Sequence, residues 1–575
     1  MSYRHKHWEI APPASESTLR ELAGAFHLSP LLAQLLVNRG LTTVEQADRF
    51  INGGGADSAP FTMRGMNQAV SRIRRAIRTK EKIVVYGDFD VDGITATAVL
   101  TETLQALGAV VQPYIPNRFS EGYGLNNAAL STLADEGTNL IVTVDCGIRS
   151  PAEVVHAHRV GMDIIVTDHH SVGPALPEAV AVVNPKQDNC AYGFRALAGV
   201  GVAFKLAQAL LRVNQKVPLV GSVDLEESDL LDLVALGTVA DLVPLEGENR
   251  ELVRRGLPVL REMRRPGIRA LVELTGIAAE RIVSSTIGYS LGPRLNAAGR
   301  LDDAIRSYEL LTCRDVAQAV QLAEHLDQTN RERQRQTYLA MDLARAQILE
   351  SQEEHLLIAA HEDFPSGIVG LVAGRLVEEF YRPAIVVELG KTDCRASARS
   401  IEEFDITGAL DLCSDLLIRY GGHAAAAGFT ADKGNLPVLV SRLRHIAREK
   451  LAGQALRPSV QVDVEVPLSM MDWDTLEQIE KWEPFGIGNP YPLFMSRHLT
   501  VRNPRSVGAE GQHLKLSLYD GHTTREAIGF GMGSLLADIA ALASVDAVFS
   551  LERNEWNGDE RLQLRLEDIG PAQTT

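Results

Sequence analysis

Short runs of apolar, mostly β-branched residues recur in the first third of the chain, at 82–86, 140–144 and 164–167. Runs of this length and composition are typical of strands that are buried on both faces of a parallel sheet. Helix-like stretches, among them 95–107 and 197–212, alternate with such strands between about residues 66 and 245. The alternation predicts a parallel α/β lobe with right-handed crossovers.

The pattern of apolar and polar positions changes on both sides of this lobe. Residues 1 to about 60 carry three amphipathic helical stretches and end in the glycine-rich break 53–60, which is typical of a flexible connection. Residues 302 to about 352 contain no Gly or Pro and are rich in helix-forming residues. We therefore expect a helical N-terminal segment and a long helix or helix pair that connects two lobes.

The last 220 residues or so show two further patterns. A second α/β unit is expected from residue 354 to about 452, with strands at 356–360 and 384–388. From about residue 457 onward, short alternating runs are separated by turn signals such as Asn557-Gly558. This spacing predicts a small all-β module of the OB-barrel type.

Each of the three strands in the first lobe ends in acid or imidazole: Gly-Asp-Phe-Asp-Val-Asp-Gly at 87–93, Val-Asp-Cys-Gly at 144–147 and Asp-His-His at 168–170. In an open parallel sheet, ligands collect outside the carboxyl ends of the strands, so these side chains are expected in one crevice. Carboxylate oxygens and imidazoles suit Mn²⁺ or Mg²⁺, and the chain has no Cys-x-x-Cys pair for structural zinc. The layout predicts a two-metal hydrolase.

A fourth acid fits the same pattern. The apolar stretch 230–240 delivers Asp241 just before Pro244, which would end a helix there. Taken singly, an Asp or Gly after a strand is ordinary turn chemistry, and a lone His is more often structural than a ligand. Three strand ends with the same chemistry favour the metal site, and Asp168 is placed to fix an imidazole tautomer.

Charge and cysteine content change this picture little. The formal net charge of −17 does not exclude nucleic-acid binding, because phosphate affinity depends on local clusters of Lys and Arg. Five scattered cysteines favour reduced thiols over a disulfide framework. The chain has no long uncharged apolar run and its first residues lack the apolar centre of a signal peptide, so we expect a cytoplasmic protein with no membrane association.

The three acid motifs resemble the first motifs of the DHH phosphoesterase superfamily. Four further segments are similar to the RecJ branch of that superfamily, which consists of single-strand-specific DNA exonucleases: 115–126, 291–301, the Gly-Gly-His loop at 421–429, and 483–490. The resemblance covers nearly the whole chain, and the motifs occur in the family's order. It implies two α/β lobes, called DHH and DHH-associated, joined by a long helix and followed by an OB-type barrel.

The resemblance also implies roles for individual residues. Asp90 and Asp145 would hold one divalent ion, and Asp92, Asp145, His169 and Asp241 would hold the other. The resemblance implies that His170 contacts or protonates the scissile phosphate. Besides the metal ligands, the catalytic residues would be His170, Asp168 and Asp88. The role of Asp88 stays open.

A third set of residues would bind DNA or its phosphates. Arg294, Asn296 and Arg300 would line the path of the strand. A clamp from the opposite lobe would consist of Ser397, Arg399, Gly421, Gly422 and His423. On the barrel, candidate contacts are Phe485, Tyr491, Phe494, His513 and Lys515, although for any single aromatic ring a place in the barrel core is the commoner role.

Two positions depart from wider patterns. Tyr86 stands where many DHH relatives carry a His, a departure that RecJ-type proteins share. Phe364-Pro365 stands where RecJ-like sequences commonly show an aromatic-His pair, so no role is carried over for that His. The predicted domains are a helical segment at 1–60, the DHH domain at 61–301, the connecting helix at 302–353, the DHH-associated domain at 354–453 and the OB-type domain at 454–575.

Two alternatives share the metal site or the fold. A phosphoesterase of short substrates would not need the barrel, the N-terminal segment or the arginines at 294–300, and a non-enzymatic replication scaffold would not need a complete ligand set. The resemblance favours an exonuclease that degrades single-stranded DNA to mononucleotides in recombination and repair, with 5′ to 3′ polarity. It also implies a monomer whose partners are single-stranded DNA, a single-strand-binding protein and a helicase.

Overall fold

The computed structural model describes residues 6–54, 58–351, 353–556 and 559–572. The chain divides into a larger unit, residues 56–454 with 486–488, and a smaller unit, residues 1–55, 455–485 and 489–575. The predicted break at 53–60 lies partly outside the described residues, and the predicted turn at Asn557-Gly558 lies wholly outside them.

The chain begins in the smaller unit with one strand and three helices: β1 (His7–Ile10), α1 (Glu16–Phe26), α2 (Pro30–Asn38) and α3 (Val44–Asn52). Each helix starts after a Ser or Thr whose side chain accepts a hydrogen bond from a backbone N–H of the first turn, at Ser15, Ser29 and Thr43. Such N-caps satisfy donors that a helix leaves unpaired. The predicted helical N-terminal segment is confirmed.

The larger unit opens with an α/β lobe, here called the first lobe. Its elements are α4 (Met66–Thr79), β2 (Lys82–Tyr86), α5 (Val91–Ala106), β3 (Val110–Tyr114), α6 (Asn127–Asp135), β4 (Leu140–Thr143), α7 (Pro151–Arg159), β5 (Asp163–Thr167), β6 (Ala181–Val183), α8 (Gly199–Lys216), α9 (Leu231–Ala240), α10 (Gly247–Arg261), α11 (Pro266–Thr275), α12 (Ser284–Thr286), α13 (Gly292–Leu301) and α14 (Ile305–Thr312). The sheet has the order β3-β2-β4-β5-β6, and all its pairs are parallel.

Burial explains why the first lobe carries long apolar runs. All four residues of β4 are buried, as are Ile83–Tyr86 of β2. Helix α5 is buried on nearly every face because it packs against both α8 and α9. Elements that are covered on all sides need no polar stripe, which accounts for the weak helical period in these segments.

A helix of 36 residues, α15 (Val316–Ser351), connects the first lobe to a second one. The second lobe consists of β7 (Leu357–His361), α16 (Val369–Phe380), β8 (Ala384–Leu389), β9 (Asp393–Arg399), α17 (Ile406–Asp411), β10 (Leu417–His423), β11 (Ala426–Asp432) and α18 (Leu436–Leu451). Its mixed sheet has the order β10-β11-β9-β8-β7. The predicted second α/β lobe and connecting helix are confirmed.

The rest of the smaller unit is mainly strand: β12 (Ser459–Val462), β13 (Val464–Glu465), α19 (Trp473–Glu480), β14 (Phe494–Val507), β15 (His513–Tyr519), β16 (Thr524–Gly529), α20 (Leu536–Ala540), β17 (Val545–Trp556) and β18 (Asp559–Pro571). Strand β14 pairs with both β15 and β17, which closes the sheet into a barrel, as predicted. Apolar side chains of α1 to α3 share the barrel's core, and β1 pairs with β12. No helix in the described residues combines the length and apolarity needed to cross a bilayer.

Candidate two-metal active site

The acid motifs lie where neighbouring parallel strands end. Strands β2, β4 and β5 are adjacent in the sheet, so the residues that follow them meet at one edge. Asp90 is the N-cap of α5, and its Oδ1 accepts a hydrogen bond from the N–H of Gly93 at 3.0 Å. Asp241 ends α9, as the sequence predicts. Two helix ends and three strand ends therefore position the carboxylates.

The structure brings the predicted ligands together in two neighbouring clusters. The first contains Asp88, Asp90 and Asp145, the second contains Asp92, His169 and Asp241, and a third grouping of Asp145, His169 and His170 links the two. In each cluster one potential ligand atom from every residue lies within 4.8 Å of the others. Asp145 Oδ1 also lies 3.1 Å from His169 Nε2, which places Asp145 between the clusters. This arrangement suits two ions with a bridging carboxylate.

Several ligand atoms are buried without a hydrogen-bond partner: Asp88 Oδ1, Asp145 Oδ1, His169 Nε2 and Asp241 Oδ2. A buried polar atom without a partner is costly, so four of them at one place need an explanation. Carboxylate oxygens with one imidazole nitrogen form the donor set that Mn²⁺ or Mg²⁺ accepts. The residues present therefore fit divalent metal ions.

Burial and mutual repulsion shift the pKa values of these groups. Burial, followed by the charges of neighbouring carboxylates, raises the pKa of Asp92 to about 7 and that of Asp241 to about 9. The same causes raise the pKa of Asp145 well above its ordinary value. Burial lowers the pKa of His169 to about 3, so this imidazole is neutral and able to bind a metal at neutral pH. Bound cations would offset the clustered negative charge.

These shifts predict how metal binding changes stability with pH. Because the pKa values of Asp92 and Asp241 are raised on folding, the metal-free protein is stabilised at low pH, and this contribution is lost as pH rises through about 7 and about 9. Mn²⁺ replaces those protons, so we expect it to raise Tm more at about pH 8.5 than at about pH 6. Thermal unfolding with Mn²⁺ or EDTA tests this, and an equal shift at both pH values contradicts it.

The two histidines are oriented by different partners. His169 Nδ1 lies 3.0 Å from the carbonyl oxygen of Leu197, which directs Nε2 towards the carboxylates. His170 Nδ1 donates to Asp168 Oδ1 at 2.7 Å, and the backbone N–H of Ile148 donates to Asp168 Oδ2 at 3.0 Å. Although burial opposes it, the hydrogen bond from His170 holds the pKa of Asp168 below its ordinary value. Asp168 therefore orients His170, and a backbone carbonyl orients His169.

Close approach of backbone to carboxylate is a feature that the sequence analysis missed. Asp145 has a positive φ of 60°, and a Cβ atom at Gly199 would lie 2.6 Å from Asp145 Oδ1. The N–H groups of Gly199 and Val200 donate to the carboxylate of Asp92 at 2.6 and 2.8 Å. The start of α8 thus fixes two predicted metal ligands, and only glycine fits at its first position.

A cleft of about 570 Å³ lies between the two lobes of the larger unit. The first lobe lines it with Phe89, Arg118, Phe119, Gly122 and Tyr123. The guanidinium of Arg118 stacks on the ring of Phe89, 4.8 Å from its centroid, and Tyr123 Oη lies 3.3 Å from His170 Nδ1. No sequence pattern marks a role for these residues, although Arg118 and Tyr123 belong to the family-like segment 115–126.

The predicted strand-path residues lie beside the site in different ways. Asn296 Oδ1 accepts a hydrogen bond from the N–H of Val91 at the start of α5. Burial, followed by the nearby charges of Arg118 and other arginines, lowers the pKa of Arg300 to about 10, and Arg300 also interacts with Asp90 and Arg399. Arg294 donates to Asp327 at 2.8 Å. Arg300 thus connects the metal ligands with the second lobe.

The predicted clamp residues come together on the second-lobe sheet. In one cross-strand row, Ala426 on β11 lies between Arg399 on β9 and His423 on β10. In the next row, Gly428 lies between Ser397 and Gly421. Because side chains alternate between the faces of a strand, these residues share one face. Gly422 belongs to the other face, where its φ is 152° and a Cβ atom would lie 2.3 Å from the carbonyl oxygen of Ala426, which leaves no room for a side chain.

The barrel candidates differ in exposure. Phe494 is fully buried, so it belongs to the core and offers no surface for a base. The ring of Phe485 lies 4.7 Å from that of Tyr491 and is partly buried against the same core. His513 packs edge-on against the exposed ring of Phe530. Phe364, which with Pro365 stands where the family commonly has an aromatic-His pair, is buried in the core of the second lobe.

Comparison with known families gives a consistent assignment along the chain. A model described as the DHH family, N-terminal domain, matches residues 82–238. A model of the DHHA1 domain matches residues 353–449, and one of the RecJ OB domain matches residues 462–568. The resemblance found in the motifs therefore extends to all three main parts of the protein.

Individual relatives agree. The single-stranded-DNA-specific exonuclease RecJ of Bacillus subtilis (strain 168) is 39% identical over 571 residues, which cover 98% of this chain and 71% of the relative. The protein of the same description from Escherichia coli (strain K12) is 35% identical over 569 residues, covering 95% and 96% of the two chains. The crystal structure of RecJ with Mn²⁺ from Thermus thermophilus superimposes with a TM-score of 0.85 at 28% identity, covering 100% of this chain and 80% of that one. The chain belongs to the RecJ family of single-stranded-DNA-specific exonucleases.

Proposed function

We propose that this protein is a metal-dependent exonuclease that hydrolyses single-stranded DNA from the 5′ end to mononucleotides, in DNA recombination and repair. The observation that carries the proposal is the pair of ligand clusters that Asp145 and His169 link, beside a cleft lined by arginine. The relatives described as single-stranded-DNA-specific exonucleases support the choice of substrate. The polarity follows from the family resemblance.

The proposed chemistry assigns a task to each group of residues. Asp90 and Asp145 would hold one ion, with Asp88 in the same cluster, and Asp92, Asp145, His169 and Asp241 would hold the other. When bound, two such ions would supply a nucleophilic water at neutral pH and stabilise charge on the leaving oxygen. His170, oriented by its hydrogen bond to Asp168, would donate a proton or a hydrogen bond to the scissile phosphate. The pKa of His170 is raised, chiefly by the Asp168 hydrogen bond working against burial, which favours the protonated donor form.

The remaining parts of the proposal concern how the strand is held. Arg300 in the first lobe, with Ser397, Arg399 and His423 in the second, would fix phosphates by charge-assisted hydrogen bonds. The other proposed DNA contacts are Arg294, Asn296, Gly421, Gly422 and Phe485. The barrel would bind the strand further from the metals, as OB folds do.

Location, partners and boundaries complete the proposal. We place the protein in the cytoplasm as a monomer that a single-strand-binding protein and a helicase recruit to DNA. The domain limits proposed are 1–60, 61–301, 302–353, 354–453 and 454–575.

The test uses strands of one sequence labelled at either end, single-stranded or annealed, with Mn²⁺, Mg²⁺ or EDTA. We expect degradation of the single strand only, dependent on metal, with mononucleotides released from the 5′ end. Asp145→Ala is the inactive reference. Sparing of single-stranded DNA, equal cleavage of the duplex or an active Asp145→Ala variant would contradict the proposal, and release from the 3′ end would contradict the polarity alone.

A further inference from the structure

Three cross-strand rows of residues occupy the cleft-facing side of the second-lobe sheet. The row nearest the metal ligands joins Arg399 to His423, and the middle row joins Ser397 to Gly421. A third row, here called the outer row, consists of Arg395 on β9, Thr430 on β11 and Arg419 on β10. Because every second residue of a strand points to the same side, all three rows share one face.

The outer row holds two positively charged side chains, Arg395 and Arg419, on either side of Thr430, with few carboxylates near them. Arg419 Nε donates to Thr430 Oγ1 at 3.2 Å, and Arg395 is exposed. In the part of the chain that the structure describes, neither guanidinium forms an ion pair with a carboxylate. On the neighbouring strand β8, Glu388 is the cross-strand partner of Arg395, and its carboxylate interacts with both Arg395 and Ser366. Two arginines and a threonine hydroxyl are the donors that a phosphate group accepts.

The outer row lies at the opposite end of β9 from Arg399. Arg300 Nη1 donates to the carbonyl oxygen of Gly367 in the second lobe at 3.2 Å, and Arg399 is among the charges close enough to Arg300 to lower its pKa. Arg395 is four residues from Arg399 on the same strand, which corresponds to about 13 Å. Arg399 Nη1 donates to the carbonyl oxygen of Ala398 at 2.9 Å, which holds that guanidinium at its own end of the strand. The outer row therefore faces a different anionic group of any strand held at Arg399.

The space between the rows is open. The cleft of about 570 Å³ is lined by the outer row and by the middle row, Ser397, Gly421 and Gly428. A Cβ atom at Gly421 would meet nothing within 4 Å, and one at Gly428 would meet only the carbonyl oxygen of Ala396 at 3.4 Å. With no side chains at the two glycines, a sugar-phosphate chain can lie directly on the backbone there.

We propose that the outer row, Arg395 with Thr430 and Arg419, is a second anion subsite that binds a phosphate group of the strand other than the one held at Arg399. The inference rests on the proposed function and deepens it. Two sources offer this chemistry: a backbone phosphodiester, or the additional phosphates of a 5′-triphosphate end. Both are phosphate oxygens within reach of the same guanidinium groups, and the substrates chosen below distinguish them.

The experiment compares three oligonucleotides of one sequence, with 5′-hydroxyl, 5′-monophosphate and 5′-triphosphate ends, as substrates of the full-length protein. Arg395→Gln and Arg419→Gln are set against Lys391→Gln, which removes the same charge from an exposed position on the turn between β8 and β9. We expect each arginine variant to raise KM about tenfold. The slope of log KM against log salt should fall by about 0.7 for one lost phosphate contact.

The possible results distinguish the two phosphate sources from each other and from failure of the inference. An equal rise in KM for all three ends assigns the subsite to a backbone phosphate, and a rise confined to the triphosphate strand assigns it to the additional phosphates. Unchanged KM for every end, or the same effect in Lys391→Gln, overturns the inference. Failure of the unmodified protein to degrade any of the strands would instead overturn the proposed function.

Discussion

The substitution Asp145→Asn is expected to lower kcat by about a thousandfold or more, because it removes the one carboxylate that lies between the two ligand clusters. Asparagine has nearly the same shape and is tolerated at positive φ, so the backbone at φ 60° is retained. Steady-state kinetics with saturating Mn²⁺ measure the effect.

Two controls make this result specific. Asp135→Asn changes an exposed carboxylate at the end of α6 and is expected to leave kcat unchanged. The thermal midpoint of metal-free Asp145→Asn should not fall, since a neutral side chain relieves repulsion among the buried acids. Retention of more than about a tenth of kcat by this variant would show that Asp145 is not shared between the ions.

The second large effect is expected at a residue without functional groups. Gly199→Ala should lower kcat about a hundredfold, because the new Cβ would lie 2.6 Å from Asp145 Oδ1 and must displace that carboxylate. Gly374→Ala on α16 is the matched control, since its Cβ would meet nothing within 4 Å. Gly374→Ala is expected to retain full activity. Normal kinetics for Gly199→Ala would mean that the start of α8 does not fix the position of Asp145.

Much of the fold and of the candidate site was accessible from sequence for a physical reason. Buried parallel strands carry uninterrupted β-branched runs, and their carboxyl ends meet at one edge, so Asp92, Asp145 and His169 could be placed together without coordinates. The absence of Gly and Pro from 302–352 made the connecting helix equally plain.

The remainder depends on contacts between distant parts of the chain. Gly199 meets Asp145 across 54 positions, and no local pattern marks that approach. Arg118 and Tyr123 line the cleft from a loop, where periodicity carries no information about direction. Strand β3, at the edge of the first-lobe sheet, mixes polar with apolar residues and Pro113, so it gives no buried-strand signal.

The shared core of the smaller unit has a consequence for synthesis. Helices α1 to α3 leave the ribosome before the barrel strands, yet the apolar core that contains Leu32 and Leu35 also includes segments beyond residue 460. Their hydrophobic surfaces must therefore stay uncovered while some 400 intervening residues are translated and fold as an insertion between two halves of one domain. Nascent chains that are released early would expose an orphaned apolar surface of the kind that chaperones bind.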